Sequence, residues 1–310
     1  MGHNEMITRP GATLRSRFRN FPLHLMLLPG AVIVMIYSYF PMFGIAIAFQ
    51  NYIPAKGLFG SNWIGADNFR FVWDLPGSRL VLRNTVFIAL MKIVAGLAIP
   101  IVVSLMLNEM RKEFIKRSVQ TLIYLPHFLS WIILGGILID ILSPSTGIVN
   151  EVVAALGFKP IYFLGNNDVF PYVLVVSDVW KEFGFNTIVF LAALTAINPA
   201  LYEAAIVDGA NRWKQTLHIT LPGMMPIIVL MATLSLGNVL NAGFDQVFNL
   251  YSPQVYESGD IIDTLVYRIG LLDAQYGIAT AVGLLKSVVA LAFISLSYFL
   301  AHRYANYRIF

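Results

Sequence analysis

Six apolar runs, each near the roughly 20 helical residues needed to cross about 30 Å of hydrocarbon, constrain this chain more than any other feature. They lie near Leu23–Gln50, Val81–Asn108, Val119–Leu142, Phe170–Ile197, Met224–Leu250 and Ile278–His302. Continuous runs of this length are unlike barrel strands, which are about ten residues long and alternate in polarity. The fold class expected is therefore all-α: a polytopic membrane protein with six transmembrane helices. Composition agrees, since 57% of the 310 residues are hydrophobic and 12% charged, against about 25% charged in soluble domains. The lack of cysteine excludes a disulfide scaffold. A net charge of +4 does not point to nucleic acid, because the basic residues sit at the ends of spans instead of on one face.

Their placement reports orientation, as Lys and Arg in short loops mark the cytoplasmic side. Arg9, Arg15, Arg17, Arg19, Arg111, Lys112, Lys116, Arg117, Arg212, Lys214, Arg303 and Arg308 fall on one side; Lys56, Arg70, Arg79, Arg83, Lys159 and Arg268 fall on the other, with Lys181 ambiguous. Both termini are expected in the cytoplasm. The expected organisation is a cytoplasmic segment over 1–22, a membrane domain over 23–302 containing a cytoplasmic loop at 198–222, and a tail over 303–310. The first run is too long for a signal peptide and no A-x-A-like site follows it. Met6 stands where a myristoylation motif needs Ser or Thr. The outer loops 51–80, 143–169 and 251–277, rich in Gly, Pro, Asn and aromatics, suit packed caps with short surface helices.

The loop between spans four and five carries the most specific signal. Asn198-Pro199 starts a helix through Val207, with Asn to cap and Pro at the first position. Asp208-Gly209 stops it, and a second segment is expected to run from Ala210 to a terminator at Leu221-Pro222. Small residues (Ala204, Ala205, Gly209, Ala210) permit close approach by another surface, while Glu203 and Asp208 can fix register. Taken alone, such a loop is more often an amphipathic connector covering the bundle.

The run Tyr202-Glu203-Ala204-Ala205-Ile206-Val207-Asp208-Gly209-Ala210, followed by Ile219-Thr220-Leu221-Pro222, resembles the EAA motif of permease subunits in binding-protein-dependent ABC importers. Tyr39-Phe40-Pro41-Met42-Phe43-Gly44, Ala48-Phe49-Gln50-Asn51-Tyr52 and Asp178-Val179-Trp180-Lys181-Glu182 resemble the carbohydrate branch related to lipoprotein and complex-polysaccharide permeases, the alginate-oligosaccharide permeases above all. The likeness covers nearly the whole chain; Leu217 departs from it, standing where the family often has an aromatic residue. It implies that Glu203, Ala204, Ala205, Asp208, Gly209 and Ala210 couple to an ATPase, with Ile219, Leu221 and Pro222 fixing the return to span five. The partners it implies are a second homologous permease, two ABC ATPase subunits that bind ATP and Mg, an extracytoplasmic binding protein, an oligosaccharide, acidic alginate fragments included, and the lipid bilayer. No Walker A pattern occurs, so this chain itself is expected to bind no cofactor.

Ionisable residues within spans are costly and count as functional hypotheses. Asp178, Lys181 and Glu182 share one face of span four, roughly 12–18 Å from its outer end by rise alone. They suit either a hydrated site or a structural ion pair. Asn238, Asn241 and Asp245 are spaced to share a face of span five, with Gln246 alongside. Amides and carboxylates suit sugar hydroxyls, and Trp180, Phe185, Phe244 and Tyr251 offer apolar faces to pyranose rings. Interhelical hydrogen bonding accounts for any one of them equally well. Lys92 and Lys286 are isolated cations that either ease the passage of an anionic cargo or pair with Asp140 or Asp245. His3, His24, His127, His218 and His302 lack metal-ligand spacing, so no metal is expected. Three alternatives remain open from the residues: a permease for a non-sugar solute, a transporter working alone, and a membrane enzyme using Asp178 and Glu182 as acid and base.

Overall fold

The computed structural model describes residues 21–305. The terminal arginines Arg9, Arg15, Arg17, Arg19 and Arg308, His3, and most of the two terminal segments lie outside the described residues, as do the side chains of His24, His302 and Arg303.

The first span opens as α1 (Phe21–Val34) and continues through a π-turn (Met35–Tyr39) and a 3-10 helix (Phe40–Phe49). At Gln50 the backbone becomes extended and pairs β1 (Gln50–Asn51) with β2 (Asn62–Trp63), antiparallel, Gln50 opposite Trp63. Asn68, in α2 (Asp67–Asp74), donates to the Ala48 and Gln50 carbonyls at 2.9 and 3.0 Å, which satisfies acceptors that the end of the span leaves free. Span two is α3 (Ser78–Glu109), which begins after a left-handed Gly77 at φ 88°.

Span three is not the single helix expected over Val119–Leu142. It is α4 (Glu113–Tyr124), a 3-10 turn (Leu125–Phe128) and α5 (Trp131–Ile141), bent by 105° between Phe128 and Trp131. The cause is local. Pro126 has no N–H and disfavours the α conformation before it, while the Ser130 hydroxyl accepts from the Ile133 N–H at 3.4 Å and starts a new helix. After α6 (Ile148–Ala155) in the second loop, span four is α7 (Phe170–Thr195), starting where expected. It turns by 68° into α8 (Pro199–Val207).

Next come α9 (Arg212–Gln215), a π-turn (Thr216–Thr220) and α10 (Leu221–Gly237). Leu221-Pro222 does not terminate the segment, which runs unbroken from Arg212 to Gly237. The wide turn places the Leu221 N–H on the Thr216 carbonyl, one residue further back than in an α-helix, which makes room for the Pro222 ring. Span five, expected to continue to Leu250, stops at Gly237. It resumes as α11 (Phe244–Leu250) after Gly243, whose φ of 93° an L side chain resists. α12 (Ile262–Tyr267), a further π-turn (Arg268–Leu272) and α13 (Tyr276–Ala305) follow, the last reaching the end of the described residues. Among the described residues, four helices are long and apolar enough to cross a membrane, or up to six if each bent pair is one span.

The core is built on α3 lying against α7, with α10 against α13 and α5 against α11. One buried cluster joins Ile88, Leu138, Phe170, Leu174, Val247, Leu250 and Ile261, tying α3, α5, α7 and α11 to the third outer loop. All three outer loops carry the short helices expected of packed caps. Where α7 crosses the end of α4, Gly184 lies so close that a Cβ would collide with the Ile123 carbonyl, whereas Gly136 has open space around it. Gly184→Ala is expected to destabilise by about 1–3 kcal/mol, and Gly136→Ala to be neutral or stabilising, in thermal unfolding of the detergent-solubilised protein.

Candidate functional site

Two sites emerge. The first is the reversal at α8. Asn198 Oδ1 accepts from the Ala200 N–H at 3.0 Å, and Pro199 occupies the first helical position, as the sequence predicts. At the other end Gly209 takes φ 74°, its N–H meets the Ile206 carbonyl at 3.0 Å, and the Ala210 N–H meets that of Ala205 at 2.8 Å. A glycine-closed end of this kind satisfies carbonyls the helix leaves free. The return is fastened by Tyr202 Oη to Thr220 Oγ1 at 3.0 Å, by Gln215 Nε2 donating to the Ala210 carbonyl at 2.9 Å, and by Arg212 with Glu109 at 3.5 Å. Glu203, Ala204, Asp208, Gly209 and Pro222 are exposed, while Ala205, Ala210, Ile219 and Leu221 are half-buried. Beside them Leu201, Ile206, Val207 and Trp213 also face outward, Val207 at 87% of its full exposure. A small helix with both ends satisfied that presents this much apolar surface is built to be covered.

The second site is a cavity of about 250 Å³ between α3, α7, α10 and the break that follows α10. Asp178, Glu182 and Asn186 of α7 line it opposite Ser235, Asn238 and Asn241, with Lys92 at its inner wall. Lys92 is buried and reaches Asp178 Oδ1 at 3.2 Å, the Ala242 carbonyl at 2.7 Å and Gln246 Oε1. Glu182 is held from two sides, by Lys181 Nζ at 2.9 Å and His127 Nδ1 at 2.7 Å. The lysine at this wall is thus already engaged by a carboxylate of the chain. What it offers a passing molecule is amides, a hydroxyl and the remaining carboxylate oxygens, groups that exchange hydrogen bonds with hydroxyls.

A family model for the "Binding-protein-dependent transport system inner membrane component" matches residues 93–308. The chain belongs to this family. It is 39% identical over 284 residues to the "Polygalacturonan/rhamnogalacturonan transport system permease protein YteP" of Bacillus subtilis, which covers 92% of this chain and 88% of that protein. A solved structure of "a bacterial ABC transporter involved in the import of the acidic polysaccharide alginate" contains a chain that superposes with a TM-score of 0.87 at 38% identity, over 94% of this chain and 98% of that one. A second, of the "bacterial alginate ABC transporter in complex with alginate pentasaccharide-bound periplasmic protein", gives 0.86 at 38% identity over 93% and 96%. The chain is thus a multi-pass membrane permease subunit of an ABC importer and not an enzyme, so the acid–base reading of Asp178 and Glu182 falls.

The permease brings together some of the polar residues singled out from sequence and separates others. Asp178, Glu182, Asn238 and Asn241 share the cavity. Asn238, Asn241 and Asp245 do not share a helix face, because α10 ends before Asn238 and leaves Asn238 and Asn241 in the break, while Asp245 lies in α11 and is exposed elsewhere. Lys181 is buried in a structural role, donating to the His127 carbonyl at 2.9 Å, and Phe185 stacks on the His127 ring with centroids 4.1 Å apart. Trp180 turns to a separate apolar groove with Leu138, Tyr172 and Val176. Gln246 is fully buried, donating to the Leu174 carbonyl at 2.8 Å and Ser177 Oγ at 2.7 Å. Phe244 lines a neighbouring hollow of about 540 Å³ with Asn241, Asp263, Tyr267 and Tyr276. Tyr251 packs in the outer loop on Tyr256, over which the Arg268 guanidinium lies at 4.4 Å while clamping Asp260. Burial raises the pKa of the Tyr251 hydroxyl, and the Asp260 carboxylate raises that of Arg268, so both keep their protons. Lys92 and Lys286 pair with Asp178 and Asp263, not with Asp140 or Asp245.

Sequence reasoning missed His127 as a partner of Glu182, and also Asn186 and Ser235. The signal for His127 was Pro126 beside it, which marks the bend that carries the ring to α7. Lys181→Met leaves the Glu182 carboxylate with His127 alone and is expected to cost about 1–3 kcal/mol. Lys181→Met combined with Glu182→Gln should recover most of that loss, a double-mutant cycle readable by thermal unfolding of the purified permease complex.

Proposed function

We propose that this permease forms half of a translocation pathway for an oligosaccharide, of acidic class, delivered by an extracytoplasmic binding protein and coupled to ATP hydrolysis through α8. The observation that carries the reading is the cavity beside the break in span five, where Asp178, Glu182, Asn186, Asn238 and Asn241 converge. The acidic class is supported by 39% identity to the polygalacturonan/rhamnogalacturonan permease and 38% identity to a chain of the alginate importer. Asp178, Glu182, Asn238 and Asn241 bind cargo hydroxyls, and Phe244 with Tyr267 presents ring faces in the adjoining hollow.

The other half belongs to a second, homologous permease. The first span supports this reading: Met26, Tyr37, Phe40 and Phe43 each expose more than 70% of their surface, a long apolar flank for a partner or for lipid. Two ABC ATPases, which hold the ATP and Mg, dock on the exposed face of α8 with Glu203, Ala204, Ala205, Asp208, Gly209 and Ala210 in the contact. Ile219, Leu221 and Pro222 pass the motion into α10. The excess of Lys and Arg on the α8 side, Arg111, Lys112, Lys116, Arg117, Arg212 and Lys214 among them, supports a cytoplasmic position for that face and both termini.

ATPase activity of the reconstituted complex, measured with its binding protein against neutral and uronic-acid oligosaccharides, tests this directly. Stimulation by uronic-acid oligosaccharides is expected, and stimulation by neutral ones alone would overturn the acidic class. In the same assay Glu203→Ala and Gly209→Pro are each expected to reduce stimulation roughly tenfold, the scale of a coupling free energy of about 1–3 kcal/mol. Unchanged stimulation in both would leave α8 a mere connector.

A further inference from the structure

We propose that Lys92 is the positioning residue of this pathway: its ammonium pins the break between α10 and α11 to α3 and α7, and the break moves only when that hold is released. This rests on the reading of the cavity as the pathway.

A helix interrupted among apolar helices leaves N–H and C=O groups without partners, and the cost is several kcal/mol each unless other groups meet them. At 238–243 one of those acceptors, the Ala242 carbonyl, is met by Lys92 Nζ at 2.7 Å. The same nitrogen holds Asp178 Oδ1 on α7 at 3.2 Å and Gln246 Oε1 at the start of α11. With three donors and three acceptors the ammonium is fully used. Gln246 extends the tie, because its amide nitrogen donates to the Leu174 carbonyl and Ser177 Oγ, both on α7. One cation therefore joins α3, α7, the break and α11.

Space at the joint is equally tight. A Cβ on Gly243 would lie 3.0 Å from Lys92 Nζ, so the glycine serves the approach of the lysine as well as its own φ of 93°. The residues beyond the pin, Asn238, Asn241 and Ser235, are those that face Asp178 and Glu182 across the cavity. Its width is thus set by a bond network centred on one nitrogen. Asp178 belongs both to the network and to the wall, so a cargo whose hydroxyls donate to the Asp178 carboxylate competes with the pin at the place where the pathway must open.

The chain has no cysteine, so Ser235→Cys supplies one thiol of nearly native size in the cavity, read on this subunit by modification with a water-soluble maleimide. In the assembled transporter, Lys92→Met is expected to speed modification about tenfold, the scale of losing a hydrogen bond to a charged group, while Lys92→Arg stays near the native rate. An unchanged rate in Lys92→Met overturns the pin. Should that variant fail to assemble, Gln246→Leu, which removes one acceptor without touching the cavity wall, carries the same test, and a native rate there overturns the proposal. Protection of the thiol by bound oligosaccharide is read separately in the Lys92 background. Its absence overturns the cavity as pathway and with it the proposal's functional meaning, while the rate comparison alone decides whether Lys92 holds the break.

Discussion

Everything in this permease that lies near the centre of the bundle depends on satisfying backbone polar groups where water is scarce. Helices do this for themselves, and a break does not. Span five breaks after Gly237 and resumes after Gly243, and a buried lysine from a different span supplies donors where the chain has stopped supplying its own. Because the lysine must be neutralised, it brings Asp178 with it; because Asp178 sits on α7, the arrangement draws α3, α7 and α10 together around a polar space. The cavity follows from the remedy for an interrupted helix.

A second remedy operates a turn further along α7. Glu182 is shared by Lys181 and His127, and His127 sits in the 3-10 turn that separates α4 from α5. The sharp bend of span three thereby reaches the same helix, and nearly the same depth, as the break in span five. Gly184 lets the two backbones approach closely enough for this contact to form. Two irregular spans are thus fastened to one regular one, so that α7 acts as the frame and α4–α5 and α10–α11 as the parts jointed to it.

Much of this was legible in the residues. The apolar runs gave the spans, and Asn198-Pro199 and Gly209 marked both ends of α8, because caps and left-handed glycines act through neighbouring backbone alone. The breaks were harder to read. Pro126 with Ser130, and Gly237-Asn238 with Gly243, are ordinary stop and start signals, but they lie inside runs so apolar that hydropathy argues for continuity. Pair partners were harder still. Lys92 and Asp178 are 86 positions apart, and only the packing of α3 on α7 decides that Lys92 meets Asp178 instead of Asp140. Trp180 and Phe185 share a span with Asp178 yet face away from the cavity, since helical facing depends on which side the neighbours occupy.

The π-turn over Thr216–Thr220 has a further implication for how the two sites are kept in step. Such a turn stores one residue more than an α-helix needs, and one residue of helix corresponds to a rotation of about 100°. It stands between α8, which faces outward, and α10, whose far end borders the cavity. Removing a single residue there would let the wide turn close to a regular α-turn and leave the same stripe of α10 facing Asp178 and Glu182, whereas removing one from the regular helix would rotate that stripe away. The π-turn is therefore the one place in this segment where a single-residue length change is absorbed locally, while α8 and α10 on either side hold their aim only if their own residue counts are kept.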